Sequence, residues 1–403
     1  MDVGGIGSGT ASVREVDCAS LRDGNMARVA VVHNTLDFRG GADAVALSVC
    51  DALDADHRGS HDVDLFTIAE TDPGELAPRF GLDVDVPVRE PPWADRLAHA
   101  FGTATPWIGP QMAARSALVS QFFRRHADDY DLAVSTTNEL SLPIPSVQYV
   151  HFPQFHLDRL PDRFDATPGR LDWLWSRLGA PTPGEIPEDV TLVANSAWTA
   201  DAVEAVYGRS ATIVYPPVRQ VPDPIPWDER ELGAVVVGRI APDRRTLEAV
   251  DVVDRVRDRG HDLHLHVVGT APRAYRQYVD RVRRAARNRS YVHVETDVPR
   301  DRLETLLRAH RYGLNVRPDE SFGIGVAEFL AAGMIAFAPD AGGQREVLDG
   351  QSDRLFESRG EAVELLSTAI ESGDRPEIPR DRFGPERFRT ETRTLVADSL
   401  NRL

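Results

Sequence analysis

Short runs of β-branched and apolar residues alternate along this chain with longer segments whose apolar positions return every three or four residues. The first run, "ARVAVVHN", predicts a strand at 29–33, and further strands follow at 62–67, 131–136, 146–151, 191–195 and 212–215. Between them the helical period predicts helices at 41–54, 110–126, 167–178 and 197–207. The proline-rich stretch "YPPVRQVPDPIPWDERELG" then interrupts both patterns, because proline lacks the donor that a helix interior or a central strand requires. It reads as a semi-rigid linker.

A second alternating set follows, with strands at 234–239, 262–268, 291–295, 312–316 and 335–338. Its helices fall at 245–259, 273–287, 300–309, 323–333, 343–348 and 360–371, and a polar helix at 384–402 closes the chain. Alternation of this kind predicts an α/β architecture of two Rossmann-like, doubly wound domains facing each other across a cleft. The expected division is a disordered tail at 1–25, a first domain at 26–220, a linker at 221–232, a second domain at 233–380, and a C-terminal helix at 381–403 that crosses back to the first domain. The tail is Gly/Ser-rich and aperiodic, so Met26 is an alternative start. Ligands of such sheets sit at the carboxyl ends of the strands, which directs attention to the loops there.

Charge narrows the chemistry. The chain has 403 residues, with 63 acidic against 46 basic, a net charge of −17, and all of its basic residues other than histidine are arginine. Such a surface repels phosphate backbones, so no nucleic-acid partner is expected. It also stays soluble in concentrated salt, where repulsion is screened, which suggests a salt-loving, haloarchaeal type of source. Without lysine there is neither a Walker A phosphate loop nor a Schiff-base nucleophile. Two cysteines, Cys18 and Cys50, support neither a disulfide framework nor a cysteine zinc site. No apolar run is long enough to span a bilayer and the start lacks a signal-peptide core, so a cytoplasmic protein is expected.

Four stretches carry candidate chemistry. In "HNTLDFRGGADAVAL", Gly40 and Gly41 fall between a strand and a helix, where they let the backbone approach a ligand and leave helical N–H groups free; a tight turn explains them equally well. "VVVGRIAPDRR" sets Gly238, Arg239, Arg244 and Arg245 at a strand's end, and guanidinium forks suit phosphate oxygens. "YVHFPQF" places His151 at another strand end, with no second histidine at metal-ligand spacing, so no metal centre is indicated. In "ESFGIGVAEFLAAG", Glu328 lies among Ile324, Val326, Phe329 and Leu330, where an unpartnered charge would be costly. A sugar or ribose diol would satisfy it. Glu320 precedes the helix and faces another part of the same ligand, while Gly323 and Gly325 leave the helix N-terminus bare.

With these stretches in view, the chain resembles the retaining GT-B glycosyltransferases of family 4. "ESFGIGVAEFLAAG" is similar to that family's E-x7-E signature, "GGADAVAL" to its amino-terminal glycine loop, "GRIAPDRR" to its GR-x-x-P-x-K loop, and "APDAGGQREVL" to its GG-x-x-E segment. "SVQYVHFPQF" and "TLVANSAWTADAVEAVYGRSATIVYPPV" look most like the α-1,2-mannosyltransferases of lipid-linked oligosaccharides. The resemblance implies a GDP- or UDP-linked hexose donor in the second domain, a saccharide or lipid-linked acceptor in the first, and no metal or other cofactor. It further implies that Glu328 binds the donor ribose, that Glu320 touches the hexose, and that Arg239 and Arg244 neutralise the diphosphate. Gly40 and Gly41 approach that diphosphate and His151 orients the hexose. Gly238, Phe322, Gly323, Ile324, Gly342, Gly343 and Gln344 complete the implied donor-binding set. The family's loop lysine is Arg244 here, which keeps the charge and adds a donor fork.

Residues 91–126 mix Trp93, Leu97, Phe101, Trp107, Phe122 and Phe123 with Arg115, Arg124 and Arg125, a composition that suits either helix packing or peripheral contact with a lipid interface. Two other readings share the fold: a non-catalytic nucleotide-sugar-binding protein, and a synthase or epimerase acting on a soluble sugar.

Overall fold

The computed structural model describes residues 26–54, 61–108, 111–164, 172–223, 225–272, 275–376, 379 and 381–403. The tail expected at 1–25 and the first residues of the helices expected at 167 and 273 lie outside this set. In the first domain the strands are β1 (Arg28–Val32), β2 (Asp62–Phe66), β3 (Val88–Arg89), β4 (Leu132–Ser135), β5 (Ser146–Val150), β6 (Val190–Ala194) and β7 (Thr212–Ile213). In the second they are β8 (Glu231–Val237), β9 (His264–Gly269), β10 (Val292–Thr296), β11 (His310–Leu314), β12 (Ile335–Pro339) and β13 (Leu355–Phe356).

Each set forms one parallel sheet, ordered β3-β2-β1-β4-β5-β6-β7 and β10-β9-β8-β11-β12-β13. Parallel strands covered by helices on both faces are buried, which explains why β4, and β1 after the exposed Arg28, are continuously apolar or small, with no polar alternation. The chain changes winding direction between β1 and β4 and again between β8 and β11. Diverging loops open a crevice at each switch point, so residues just after these four strands are placed to meet a ligand.

Several boundaries differ from the sequence reading. A helix at Ala94–Ile108 was not anticipated, because prolines precede it and Gly102, Thr103 and Thr105 are poor helix formers. Strand β8 begins at Glu231, earlier than expected, and takes up the end of the linker. The linker is not loose: Val218 and Val221 are buried with Phe322 and Val326, and the Val218 amide donates to the Phe383 carbonyl at 2.8 Å.

The final helix, Pro385–Leu400, lies on the first domain. Phe388 and Val396 enter the core that contains Val134 and Tyr149, and Arg389 donates to Asp51 at 2.7 Å. In the 91–126 stretch, Phe123 is buried, Leu97 and Phe122 pack on the first-domain core, and the Arg115 guanidinium lies over Phe101 at 4.6 Å. These side chains are therefore occupied by packing, with Trp93 left exposed and the Trp107 side chain outside the described set. No described helix is long and apolar enough to cross a membrane.

Candidate functional site

The loop after β1 runs back from His33 to the helix Gly41–Leu53. Asp43, in the first turn, accepts from the Gly40 amide at 2.9 Å and pairs with His33 Nε2 at 3.1 Å, while His33 Nδ1 meets Thr136 Oγ1 at 3.0 Å. The loops after β1 and β4 are thus tied together below the crevice. A Cβ at position 41 would meet the terminal Cδ1 of Ile324 from the second domain, so the two domains lie against each other here and a larger residue would turn that side chain aside.

In the second domain, β8 is followed by Gly238, whose φ of 140° favours glycine. Arg239 donates to Asp243 at 3.2 Å and sits over the Tyr275 ring at 5.6 Å. Arg244 pairs with Glu320 and lies 3.9 Å from Asp243. Burial pushes the Arg244 guanidinium below its ordinary value, and Glu320 works against that shift. Arg317, which sequence reasoning missed, approaches Asp243 at 3.5 Å and Glu320 at 3.9 Å. Three guanidinium groups therefore surround two carboxylates. The Nε atoms of Arg239 and Arg244 are buried without a hydrogen-bond partner, although buried donors are nearly always satisfied. A cationic cluster with unspent donors at a switch point is chemically suited to a dianionic ligand. Arg245 takes no part; it is exposed and turns the chain into the helix Thr246–Asp258 at φ 51°.

The "ESFGIGVAEFLAAG" stretch forms the helix Ile324–Ala331, started by Gly323 at φ 99°. Glu328 does not lack a protein partner, contrary to the expectation from its apolar neighbours. Arg300 donates to its Oε1 at 2.6 Å and also to Glu304 at 3.0 Å, a chain of charges brought in from a helix 28 residues upstream. Oε2 of Glu328 has no hydrogen-bond partner among the described residues.

Phe322 also departs from expectation. Its side chain is buried edge-on against Phe383 at 5.3 Å and near Tyr215 at 5.8 Å, so it braces the loop from within the core. Of the donor groups expected at 342–344, the Gly343 amide and the Gln344 side-chain amide are committed within the protein. The Gly343 amide donates to the Glu320 carbonyl at 2.8 Å, and the Gln344 amide bridges Arg317 O at 3.0 Å and Asn315 Nδ2 at 2.8 Å. A Cβ at Gly342 or Gly343 would strike the backbone of Glu320 or Ser321. This pair supports the Glu320 loop by close packing.

The first domain contributes His151 just after β5. Its amide donates to Asn138 Oδ1 at 2.7 Å, and its Nε2–H donates to the Thr136 carbonyl at 3.3 Å, which leaves Nδ1 as an acceptor. Burial, with nearby His33, lowers the imidazole to about 4. At neutral pH the ring is uncharged and suited to accept from a sugar hydroxyl rather than to carry a catalytic proton. Glu139, another residue the sequence reading missed, is fully buried and accepts from the amides of Gln154 at 2.9 Å and Phe155 at 3.0 Å, fixing the chain that follows His151.

The domains are also bolted together beside the site. Ser196 Oγ donates to the Ser321 carbonyl at 2.5 Å, Asn195 Nδ2 donates to Ser321 Oγ at 3.2 Å, and Glu346 accepts from the amides of Ala197 and Trp198 at 2.9 and 3.1 Å. The second domain thus caps the helix Ala197–Tyr207 of the first.

Comparison with known proteins bears on the fold that carries this site. The family "Glycosyl transferases group 1" matches residues 232–372. The GDP-Man:Man(3)GlcNAc(2)-PP-Dol alpha-1,2-mannosyltransferase of Eremothecium gossypii is 27% identical over 225 residues, 50% of this chain and 38% of that one. The Homo sapiens protein of the same name is 29% identical over 174 residues, 39% of this chain and 35% of its own. The matches therefore span well under half the length of these two relatives. Among solved structures, Anabaena HepE in complex with UDP-glucose superimposes with a TM-score of 0.63 at 16% identity, covering 92% of this chain and 100% of that one. WaaG, a glycosyltransferase involved in lipopolysaccharide biosynthesis, gives 0.59 at 16% identity, covering 92% and 99%. Residues 232–372 are thus similar to the glycosyl transferases group 1, and the overall fold of the chain is that of the GT-B structures.

Proposed function

We propose that this protein is a retaining glycosyltransferase that moves a hexose from a nucleoside-diphosphate sugar to a saccharide acceptor, and that the acceptor is lipid-linked. The observation that carries the reading is the convergence of Arg239, Arg244, Arg317 and Glu320 around Asp243 at the second domain's switch point. The mannosyltransferase names of the sequence relatives make GDP-mannose the first donor to try, and the UDP-glucose of the structural neighbour makes UDP-glucose the second.

In the proposed reaction the acceptor hydroxyl oxygen bonds to the anomeric carbon on the face from which the diphosphate departs. The anomeric C–O bond to phosphate breaks, and the hydroxyl proton passes to a phosphate oxygen. Negative charge grows on the diphosphate, where preorganised guanidinium groups are most effective and can take the place of a metal ion. The buried Nε donors of Arg239 and Arg244 gain partners in that state. Glu328 Oε2 accepts from the ribose, and neutral His151 Nδ1 accepts from a hexose hydroxyl.

The test is a transfer assay with GDP-mannose and with UDP-glucose, offering a polyprenyl-diphosphate saccharide or the same saccharide free, with product anomers assigned by NMR. An α-linked product from an α-linked donor, formed on the lipid-linked acceptor, is expected. An inverted product would overturn the retaining reading, and turnover on the free sugar alone would overturn the acceptor reading.

A further inference from the structure

We propose that His264, His266 and His310 bind one divalent transition metal ion of the zinc class, with Glu231 as fourth ligand, at the end of the second sheet opposite the cleft. Glu231, His264 and His310 are the first residues of β8, β9 and β11, and His266 follows His264 on the same face of β9. One ring nitrogen from each histidine lies within 4.8 Å of the others. His264 Nε2 is 2.9 Å from His310 Nε2 and 3.4 Å from Glu231 Oε2, and His310 Nε2 is 3.9 Å from that same oxygen. Tetrahedral ligands at zinc–nitrogen distances of about 2.0–2.1 Å lie roughly 3.3 Å apart, in the middle of these separations.

The outer contacts are those of a metal site. His310 Nδ1 donates to the Leu306 carbonyl at 2.6 Å, so its Nε2 presents a lone pair. His266 Nδ1 meets Glu295 Oε1 at 3.3 Å, and Glu295 is itself held by Arg302 at 2.8 Å. A carboxylate or a carbonyl on the remote nitrogen fixes the tautomer and orients the ring toward a metal. The backbone also makes room: a Cβ at Gly233 would fall on the rings of His264 and His310. Three strands joined in this way would be clamped at their amino ends. None of the residues belongs to the proposed donor site, so the inference stands or falls independently of the glycosyltransferase reading.

Untagged protein is stripped with chelator, incubated with zinc chloride, desalted, and analysed for zinc by mass spectrometry, with cobalt chloride as a spectroscopic probe. About one zinc per chain, tetrahedral cobalt bands and a rise in Tm are expected. His264→Gln, at a half-buried position, should keep its circular dichroism and lose the retained zinc and the Tm rise. Glu295→Gln should weaken binding by about 10–100-fold. Zinc below a tenth of an equivalent in the wild type would overturn the proposal and leave a plain hydrogen bond between His264 and His310. Zinc retained at full stoichiometry by His264→Gln would overturn it as well.

Discussion

At the scale of single residues, the roles of similar side chains separate by what they touch. Phe322 and Arg239 both follow strand ends in motif positions, yet Phe322 is in the core and Arg239 has an unsatisfied buried donor. Phe322→Ala is therefore expected to cost about 3–5 kcal/mol of stability, read as a lowered midpoint in denaturant, with donor affinity at low temperature little changed. Gly41→Ala should do the opposite. Its new methyl group meets the tip of Ile324 across the cleft, which a rotamer change moves aside within the cleft, so turnover is expected to fall while Tm holds.

His151 supplies a pH test. Its folded value of about 4 lies below the ordinary 6.5, so the unfolded chain binds the extra proton between these values. The stability this ring contributes is complete above about pH 6.5 and falls as the pH drops toward 4. A His151→Asn variant should lose part of that acid-side decline in Tm. Identical Tm–pH slopes would contradict the buried neutral ring.

At the scale of elements, the positions of the candidate loops were legible because they follow strands, and strands are legible from apolar runs. Gly40, Gly238 and Glu320 lie on loops placed in this way. What could not be read was the partner of each charge. Arg300 reaches Glu328 because a helix packs over the sheet, and His310 reaches His264 because β8 lies between β9 and β11 in the sheet order. Linear spacing carries neither fact. The "HLH" alternation did put two histidines on one face of a strand, a signal that a search for helical metal spacing overlooks. Arg317, three residues before Glu320 and just beyond β11, was findable by the same strand-end logic as Arg239.

The helix Ala197–Tyr207 yields a prediction on this scale. Ser196 caps it from within and Glu346 caps it from the other domain. Ser196→Ala should cost about 0.5–2 kcal/mol. Glu346→Gln should also loosen the domain contact, seen as an increased radius of gyration in small-angle scattering. An unchanged radius would show that the remaining contacts suffice.

At the scale of the whole molecule, two properties were plain from sequence: two alternating α/β units, and a surface dominated by carboxylates. A net charge of −17 with arginine as the only strong base implies self-repulsion that salt relieves. Tm is expected to rise between dilute buffer and molar potassium chloride, and a flat or falling profile would contradict this. The return of the last helix to the first domain makes the chain more than two units in series, because Arg389–Asp51 and Phe388 join the carboxyl end to the first core.

The central claim is that the guanidinium cluster and Glu328 hold the diphosphate and ribose of a nucleotide sugar. Calorimetric titration with GDP, UDP and ADP and their sugars in molar salt tests it directly. Wild type is expected to bind one donor with 1:1 stoichiometry. Arg239→Ala and Glu328→Ala should each weaken that affinity by about 10–100-fold, the loss of a hydrogen bond to a charged group. Failure of every nucleotide to bind the wild type, or wild-type affinity in both variants, would contradict the account.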